Sequence, residues 1–385
     1  MNSARLNSVR KKEINLTKKV DLYYGVDIAD AFTDHLNRYD YDKIFVISDK
    51  LIHDLHGRIF FETLLQNNVP ACMHLIDASE DDKTMAGLSQ LCDDLLNENV
   101  TKDSIIISFG GGVTGNIAGL AAALIFRGIR YIEVPTTFMG MTDSTLSNKQ
   151  AVNGATGKNQ IGTYHAPLFV WSDMCYATTE SRRYFNAALT EAVKNGLIRE
   201  PALLSHFKRQ DEVFDHTDPY QLLELFELIT DVKNKILADD PTEKGYAVIL
   251  EYGHTFGHAI EYLTHGQVIH GEAVAAGMCM AAEVSNQLGY LSDEDADLHY
   301  DLLKEHFPKN MESPEIAPLI TPGKLMEQIK NDNKRSGSGV KYVLLERPGV
   351  CLNPDGDYAV AVPDETISES IRLFYQQLKL LKEEW

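Results

Sequence analysis

Three histidines and one glutamate are the residues whose types and spacing point most directly to chemistry. His254 and His258 stand four residues apart in EYGHTFGHAIE, so a helix over this segment presents both on one face. His270 follows in VIHGEAVAAG, and Glu191 precedes them in ALTEAVKNG. One glutamate with two histidines is a common zinc ligand set that leaves a fourth position open. The sequence has no HExxH, which excludes a zincin protease, and a packed or surface pair of histidines is the alternative.

A glycine-rich turn is a second candidate site, for a phosphate group. Gly111, Gly112 and Gly115 stand in FGGGVTGNIAG, between a buried strand pattern and a helix pattern. Glycines there let the backbone approach a pyrophosphate, and a helix N-terminus favours an anion. The cluster differs from the standard GxGxxG, so a tight turn without a ligand is the alternative. Asp49 ends the earlier run FVISD, where an acid binds ribose hydroxyls or caps the next helix.

Hydroxyl and cationic side chains add candidates for binding a cofactor or a phosphate. Thr136 and Thr137 end the strand pattern RYIEVPT, where they either contact a cofactor or cap the chain. Lys194 stands three residues after Glu191, and therefore on the same face of a helix. Cations beside polar residues form a phosphate site or are simply solvated. These cations are Lys149, Lys158, Lys194, Lys233, Lys334 and Arg335.

Two kinds of segment must position these residues. Up to about residue 177, short apolar runs alternate with amphipathic stretches, which predicts a mostly parallel sheet with ligands at the carboxyl ends of its strands. From about residue 178, helix patterns dominate. We therefore predict an α/β fold, with a Rossmann-like nucleotide-binding domain over 1–177 and a mainly helical metal- and substrate-binding domain over 178–385. The strand candidates are Lys43–Asp49, Ala71–Asp77, Ser104–Gly110, Arg130–Thr136 and Leu168–Asp173; the helix candidates are Lys83–Asn97, Ser181–Ile198, Tyr220–Leu237, Leu250–Leu263 and Glu272–Leu288.

Composition and charge limit the classes of function. The 385 residues carry 36 Lys plus Arg against 56 Asp plus Glu, and a formal charge of −20 repels phosphate backbones, so we expect no nucleic-acid partner. Five widely spaced cysteines without a CxxC predict reduced thiols and a cytoplasmic location. No apolar run approaches the roughly 18 residues of a membrane span, so no membrane partner is expected. The basic segment MNSARLNSVRKKEINL lacks the apolar stretch of a secretory signal and is predicted to be a disordered tail.

Taken together, the motifs resemble those of the sugar phosphate cyclases, a family that includes 3-dehydroquinate synthase and 2-deoxy-scyllo-inosose synthase. The matching segments are, in order, GGGVTGNIAG, VPTTFMGMTDS, KQAVN with GKNQIG, LTEAVKNGLI, EYGHTFGHAIE and HGEAVAAGM. They cover most of the chain, from about residue 40 to about 345. The resemblance implies a homodimeric enzyme that uses NAD⁺ and zinc or cobalt to convert a sugar phosphate into a carbocycle with release of phosphate.

The resemblance also implies a role for each matching residue. The metal ligands would be Glu191, His254 and His270. Contacts to NAD⁺ would come from Asp49, Glu80, Lys83, Gly111, Gly112, Thr114, Gly115, Asn116, Thr136, Thr137, Asp143, Ser144, Lys149 and Lys158. Catalytic roles would fall to Asp143, Lys149, Lys194, Glu251 and His258. The substrate would be bound by Asn159, Lys233 and Lys334, and by Arg127, which would reach the phosphate of the neighbouring subunit.

Three departures from the dehydroquinate synthase pattern resemble 2-deoxy-scyllo-inosose synthases instead. Ala247 and Glu251 replace the Arg and Asn of R-x-x-x-N-x-G-H, whose Arg binds a substrate carboxylate. Asn116 replaces the usual Asp of GGGxxGD. The motif GGKTGVN is replaced by SNKQAVN, which carries Gln150 and Ala151. The departures imply that glucose 6-phosphate, which has no carboxylate, is converted to 2-deoxy-scyllo-inosose. The alternatives are the formation of 3-dehydroquinate or a valiolone, and, more distantly, a metal-dependent polyol dehydrogenase.

Overall fold

The computed structural model describes residues 9–14, 19–155, 157–207, 214–240, 243–308, 310–332 and 339–383. Lys334 and Arg335, two of the candidate cations, lie outside this part of the chain. The chain divides into two compact units, one from Met1–Phe185 and Phe214–Asn234, the other from Asn186–Val213 and Lys235–Trp385.

A seven-stranded sheet forms the centre of the first unit. The strands of this unit are β1 (Arg10–Ile14), β2 (Val20–Gly25), β3 (Ile44–Asp49), β4 (Ala71–Ile76), β5 (Ile105–Gly110), β6 (Arg130–Pro135), β7 (Lys149–Gly154), β8 (Gly157–Tyr164) and β9 (Phe169–Asp173). The order in the sheet is β1-β2-β9-β6-β5-β3-β4, with β1 antiparallel to β2 and the other neighbours parallel. Strands β7 and β8 form a separate antiparallel hairpin.

The central strands are apolar on both faces, as a sheet covered on both sides requires. All six residues of β5 are buried, and in β3 only Asp49, at the carboxyl end, is partly exposed. The five strands predicted from the sequence are all present, each within one residue of its predicted bounds. The predicted parallel sheet is therefore confirmed.

Helices follow the strands along the chain. They are α1 (Ala29–Leu36), α2 (Lys50–Ile52), α3 (Arg58–Gln66), α4 (Met85–Asn97), α5 (Gly112–Leu124), α6 (Phe138–Thr142) and α7 (Met174–Ala177), while α8 (Arg182–Ile198) and α9 (Pro219–Asp239) contribute to both units. One core cluster packs Leu91 and Leu95 of α4 with Ile117 and Leu120 of α5 against Ile106 of the sheet. This packing fixes the start of α5, and with it the glycine-rich turn, at the carboxyl end of β5.

The N-terminal segment differs from the disordered tail that its composition predicts. Residues 1–8 lie outside the described part, but Arg10–Ile14 form β1 and pair with β2. Arg10 Nη1 lies 2.6 Å from Glu227 Oε1 on α9. The prediction was wrong for this strand because its basic side chains find acidic partners that are distant in sequence.

The second unit is mainly helical, as predicted. Its remaining helices are α10 (His254–Leu263), α11 (His270–Gln287), α12 (Asp293–Leu303), α13 (Pro322–Asp332) and α14 (Asp364–Glu383), and its short strands are β10 (Lys341–Tyr342), β11 (Leu345–Arg347), β12 (Val350–Cys351) and β13 (Val360–Ala361). In the part of the chain that the structure describes, no helix is long and apolar enough to cross a membrane. All five cysteines are free thiols, which agrees with the expectation from their spacing.

The start of α10 corrects one predicted boundary. The sequence predicts a helix from Leu250, but Tyr246–Glu251 form a 3₁₀ turn and the α-helix begins at His254. Gly253 separates the two with φ of +79°, a conformation that breaks a right-handed helix. A side chain here would also collide with α11, because a Cβ on Gly253 would lie 2.8 Å from Met278 N.

Glu133 is a buried carboxyl group in the central strand β6, and its burial predicts a pH-dependent stability. Only 6% of the residue is exposed, and burial raises its pKa from the ordinary 4.5 to about 7. The unfolded chain therefore loses this proton at lower pH than the folded chain, and the free energy of unfolding falls as pH rises from about 5 to above 7. Glu133→Gln should remove this dependence and stabilise the protein by about 1–3 kcal/mol at pH 8.

Urea unfolding of the wild type and Glu133→Gln at pH 5 and pH 8 measures the effect, with the exposed Glu62→Gln as control. The gap between Glu133→Gln and the wild type should widen between the two pH values. Parallel profiles for the two proteins would contradict the burial of an ionisable group at this position.

Candidate active site

Glu191, His254 and His270 come together in the second unit, one from each of α8, α10 and α11. His254 Nε2 and His270 Nε2 lie 3.7 and 3.5 Å from Glu191 Oε1, and the ligand atoms all lie within 4.8 Å of one another. Zinc bonds of about 2.0–2.1 Å at tetrahedral angles place two such ligands about 3.3 Å apart. Helix α11 begins directly against α8, because a Cβ on Gly271 would lie 2.2 Å from Ala187 O. The three side chains therefore have the donor types and nearly the spacing of a metal site.

The other ring nitrogen of each histidine has an acceptor beside it. His254 Nδ1 lies 3.1 Å from Tyr252 O, and His270 Nδ1 lies 3.2 Å from Glu261 Oε2. When each Nδ1–H donates to its acceptor, the Nε2 lone pair is left directed toward Glu191. This is the arrangement typical of metal-bound histidines, whose second nitrogen is held by a carbonyl or a carboxylate.

The charges around Glu191 keep its carboxyl group ionised, the form in which it can bind a cation. Burial opposes ionisation, but the Lys194 ammonium and the two imidazoles hold the pKa of Glu191 well below its ordinary value. Lys194 Nζ forms an ion pair with Oε2, while neither carboxylate oxygen accepts a hydrogen bond of normal geometry. Burial lowers the pKa of His254, which keeps its ring in the neutral form that binds metals. Burial also opposes charge on His270, but the carboxylates of Glu261 and Glu191 raise its pKa to about 10.

His258 and Glu251, two predicted catalytic residues, adjoin this cluster. The His258 ring centroid lies 5.3 Å from that of His254 and 6.2 Å from that of His270. Glu251 is exposed at the end of the 3₁₀ turn, and its carboxylate raises the pKa of His254 against the larger effect of burial. Ala247 lies in the same turn and is buried. The predicted sharing of a helix face by the two histidines of α10 is thus confirmed.

In the first unit, the glycine-rich turn gathers part of the predicted cofactor set. Gly111 is the N-cap of α5, which begins at Gly112, and no side chain caps this helix. A Cβ on Gly111 would lie 3.1 Å from Thr137 Cγ2, and one on Gly112 would lie 3.4 Å from Ser144 Oγ. Side chains at the two glycines would therefore crowd the hydroxyl residues that follow β6. The turn presents backbone N–H groups at a helix N-terminus, the usual setting for a phosphate.

Two hydroxyl groups beside this turn are buried and unsatisfied. Thr114 Oγ1 and Thr136 Oγ1 have no hydrogen-bond partner in the described structure. Gly115 approaches the sheet closely, because a Cβ on it would lie 2.7 Å from Glu133 Oε1. Buried hydroxyl groups in proteins normally have a partner, so these two point to a ligand that the chain itself does not supply.

Asp49 and Asn116 also have structural contacts. Asp49 Oδ1 accepts a hydrogen bond of 3.0 Å from Ile52 N and so caps α2, which is the capping alternative that its spacing left open. Asn116 Nδ2 donates to Gly112 O at 2.8 Å, and Ala151 N donates to Asn116 Oδ1 at 3.0 Å. Asn116 therefore ties the start of α5 to β7. Its role toward a cofactor stays a prediction.

Residues predicted for two different ligands form one cluster, in which the segment before α4 contacts the β7–β8 hairpin. Lys83 Nζ donates to Asn159 Oδ1 at 2.5 Å, and Lys158 Nζ lies 2.6 Å from Glu80 Oε2. This hairpin is absent from the strands predicted from the sequence. Its signal is Asn153-Gly154, a turn dipeptide next to a run of alternating polarity.

The remaining candidates in the first unit are spread over three places. Lys233 is buried, and its Nζ forms an ion pair with Asp143 Oδ1 and donates to Asp143 O at 3.1 Å. Lys149 is exposed at the start of β7. Arg127 is exposed in a turn where it has φ of +68°, a strained conformation for a side chain of this size.

Glu261 is a residue that the sequence analysis missed, and it predicts a measurable effect on metal affinity. Glu261 lies seven residues after His254 and is buried, so the period of α10 could have identified it. Glu261→Gln removes the charged acceptor for His270 Nδ1 and should weaken zinc binding about 10- to 100-fold. Competition with a chromophoric zinc chelator measures this affinity.

The matched control is Glu283→Gln. Glu283 is a buried carboxyl group of α11 that accepts a hydrogen bond from Tyr300 Oη at 2.8 Å and is not part of the cluster. The Glu283→Gln substitution should leave the zinc affinity unchanged. Equal weakening by both variants would mean that Glu261 acts through packing alone.

Comparison with known proteins places the chain in a family. The models for the 3-dehydroquinate synthase N-terminal and C-terminal domains match residues 73–187 and 188–335. A 2-deoxy-scyllo-inosose synthase of Streptomyces kanamyceticus is 36% identical over 351 residues, 89% of this chain and 88% of that one. A 3-dehydroquinate synthase of Prochlorococcus marinus is 34% identical over 312 residues, 80% of this chain and 84% of that one.

A solved structure gives the same assignment. The crystal structure of a 2-deoxy-scyllo-inosose synthase with carbaglucose-6-phosphate, NAD⁺ and Co²⁺ has a TM-score of 0.83 and 30% identity, and the match covers 94% of this chain and 99% of that one. The resemblance inferred from the motifs is thereby confirmed. The chain belongs to the 3-dehydroquinate synthase family of sugar phosphate cyclases.

Proposed function

We propose that this chain converts glucose 6-phosphate into 2-deoxy-scyllo-inosose with release of phosphate, using catalytic NAD⁺ and a zinc or cobalt ion. The observation that carries the proposal is the Glu191, His254 and His270 cluster with Glu251 beside it, where dehydroquinate synthases carry an asparagine. The relative with 36% identity and the structure with a TM-score of 0.83 both support this substrate over a heptulosonate.

The residues of the second unit fit a divalent cation. Glu191 supplies a buried carboxylate whose Oε2 is paired with Lys194, and each histidine directs Nε2 to its Oε1 while Nδ1 is held by Tyr252 O or Glu261. When bound, the cation acts as a Lewis acid toward a substrate oxygen. The ion pair with Lys194 keeps Glu191 ionised. As a cation, Lys194 also favours a nearby phosphate.

The first unit fits a dinucleotide. Gly111 and Gly112 leave room for a pyrophosphate at the start of α5, and the hydroxyls of Thr114 and Thr136 are buried without partners. A dinucleotide bound there would supply reversible hydride transfer with a ring carbon of the substrate. We therefore assign NAD⁺ binding to the α/β domain over 1–177, and metal and substrate binding to the domain over 178–385.

Different side chains of the protein are assigned to proton transfer and to phosphate binding. We assign the removal of the proton next to the oxidised carbon to Glu251, and charge neutralisation of the departing phosphate to Lys194 and His258. Asn159 and Lys233 orient the phosphate. Lys149 and Asp143 hold the sugar against the cofactor. We further propose that the protein is a cytoplasmic homodimer in which Arg127 reaches the phosphate bound by the neighbouring subunit.

Phosphate release tests the proposed function directly. The purified protein, zinc-loaded, is incubated with glucose 6-phosphate and a trace of NAD⁺, and phosphate and the product mass are followed. One phosphate should appear per 2-deoxy-scyllo-inosose, with no net NADH. In a second assay with NAD⁺ in excess, formation of NADH without phosphate would instead identify a polyol dehydrogenase.

The position of Asp49 predicts a preference for NAD⁺ over NADP⁺. A carboxylate at the end of β3 would repel a 2′-phosphate, and a penalty of about 1.4 kcal/mol already corresponds to a tenfold lower kcat/KM. Asp49→Asn should remove the repulsion and raise kcat/KM for NADP⁺ by at least about tenfold. Since Asn also caps helices well, the Tm should not change, which separates the charge from the hydrogen bond to Ile52 N. Equal use of both cofactors by the wild type would refute the assignment.

A further inference from the structure

A second cluster of metal-binding side chains lies in the first unit, on the outermost strand of the sheet. Cys72 and His74 stand two residues apart on β4, so their side chains point to the same face. Glu98 follows the last turn of α4 and lies beside them. Nothing in the proposed reaction uses these residues.

The distances in this cluster are those of a coordination sphere. Cys72 Sγ lies 3.8 Å from His74 Nε2, which in turn lies 3.3 Å from Glu98 Oε2, and the three ligand atoms all lie within 4.8 Å of one another. A tetrahedral zinc ion with bonds of about 2.3 Å to sulfur and 2.0–2.1 Å to nitrogen and oxygen places S and N about 3.6 Å apart, and N and O about 3.3 Å apart. Small side-chain movements would close the site.

We propose that Cys72, His74 and Glu98 form a second metal site, one that binds a zinc-class divalent cation and stabilises the edge of the sheet. Sulfur, imidazole and carboxylate donors together favour Zn²⁺, Co²⁺ or Cd²⁺ over Mg²⁺ or Ca²⁺. The His74 side chain is 10% exposed, whereas that of Glu98 is 46% exposed, so the site opens to solvent on the glutamate side.

One cationic group competes with a metal at this site. Lys43 Nζ lies 3.8 Å from Glu98 Oε2 and donates to Glu98 O at 3.3 Å. The Lys43 side chain is 34% exposed and can turn toward solvent when a cation binds. Burial raises the pKa of the Cys72 thiol to about 11, so a cation that binds through sulfur displaces a proton.

The place of the cluster in the sheet indicates a structural role. Cys72 and His74 pair with Phe45 and Ile47 of β3, whereas Asp49 at the carboxyl end of β3 pairs with Ile76. The cofactor is expected at the carboxyl ends of the strands. Cys72 lies near the amino end of β4 and His74 near its middle, so the cluster is displaced from the cofactor. Among the described residues, β4 has a strand neighbour on one side, β3, so a cation that joins β4 to the end of α4 would hold this outer strand in place.

Cobalt substitution distinguishes this site from the Glu191 cluster, because only this one contains sulfur. Protein stripped of metal and titrated with Co²⁺ should bind two equivalents, and a sulfur-to-cobalt charge-transfer band should appear in the near ultraviolet. In His254→Ala the band should remain and one equivalent should be lost. In Cys72→Ser the band should vanish, while phosphate release by the enzyme with one metal remains.

Cys92→Ser is the matched control, since Cys92 is another half-buried thiol, on α4, and its loss should leave the band unchanged. Glu98→Gln changes only an exposed group and should weaken cobalt binding without affecting folding. At about 100-fold excess over Kd, Zn²⁺ should raise the Tm of His254→Ala by roughly 3 °C, and this shift should be absent when Cys72 is also replaced.

A single cobalt equivalent in the wild type, or a charge-transfer band that survives Cys72→Ser, would overturn the proposal. This failure is separable from failure of the proposed function, because phosphate release depends on the Glu191 cluster and the sulfur band does not.

Discussion

Replacing His254 with alanine should abolish turnover and remove one equivalent of metal per chain. The imidazole supplies one of three ligands, and its Nδ1 is held by Tyr252 O, so alanine leaves the cluster with two ligands. A Lewis-acid cation contributes several kcal/mol to such reactions, so the rate of phosphate release should fall roughly 10³-fold or more. Phosphate release and metal content, measured on the same preparation, check this.

The control for this variant is His206→Ala, an exposed histidine of the same unit, which should retain metal and rate. Chelation of the wild type should reproduce the loss of activity, and added zinc or cobalt should restore it. If the metal-stripped protein or His254→Ala kept its full rate, the assignment of this cluster as the metal centre would be wrong.

The wild-type protein should convert glucose 6-phosphate and refuse the heptulosonate phosphate used by dehydroquinate synthases. Loss of a charge-assisted hydrogen bond costs about 1.5–3 kcal/mol, so Ala247 in place of Arg alone should weaken a carboxylate substrate by about 10- to 150-fold. Glu251 adds a second anion near the cluster and repels a carboxylate further. The ratio of kcat/KM for the two substrates measures this selectivity, and efficient formation of dehydroquinate would contradict it.

Glu251→Gln separates catalysis by this residue from an effect through His254. The variant keeps the size of the side chain but cannot accept a proton, so kcat should fall about 10²- to 10⁴-fold while metal content stays the same. If metal is lost together with activity, Glu251 instead positions His254. Arginine at position 247 is a poor test, because Ala247 is completely buried and the larger side chain would disturb the fold.

The sequence by itself determined the elements that carry the site. The buried run of β5 and the glycines after it predict a strand, a turn and a helix in the order observed, because apolar periodicity and glycine are local signals. His254 and His258 fall on one face of α10 for the same reason, and Lys194 reaches Glu191 because three residues make nearly one helical turn. The motif order then identified the family, since several short matches in sequence are far more specific than any one of them.

Only the tertiary structure decided which of these residues meet. His270 reaches Glu191 because α11 packs on α8 at Gly271, a contact between segments that no local period encodes. Whether Asp49 caps α2 could not be read from spacing, since the same residue suits a cap and a ribose.

Strand β1 was missed for a related reason: its basic residues are indistinguishable from a solvated tail until the acids of α9 are placed beside them. The Cys72, His74 and Glu98 cluster likewise joins a strand to the end of the following helix. Contacts between residues that are distant in sequence depend on how whole helices and strands pack. That packing is driven by the total apolar surface that the core buries, and no single motif determines it.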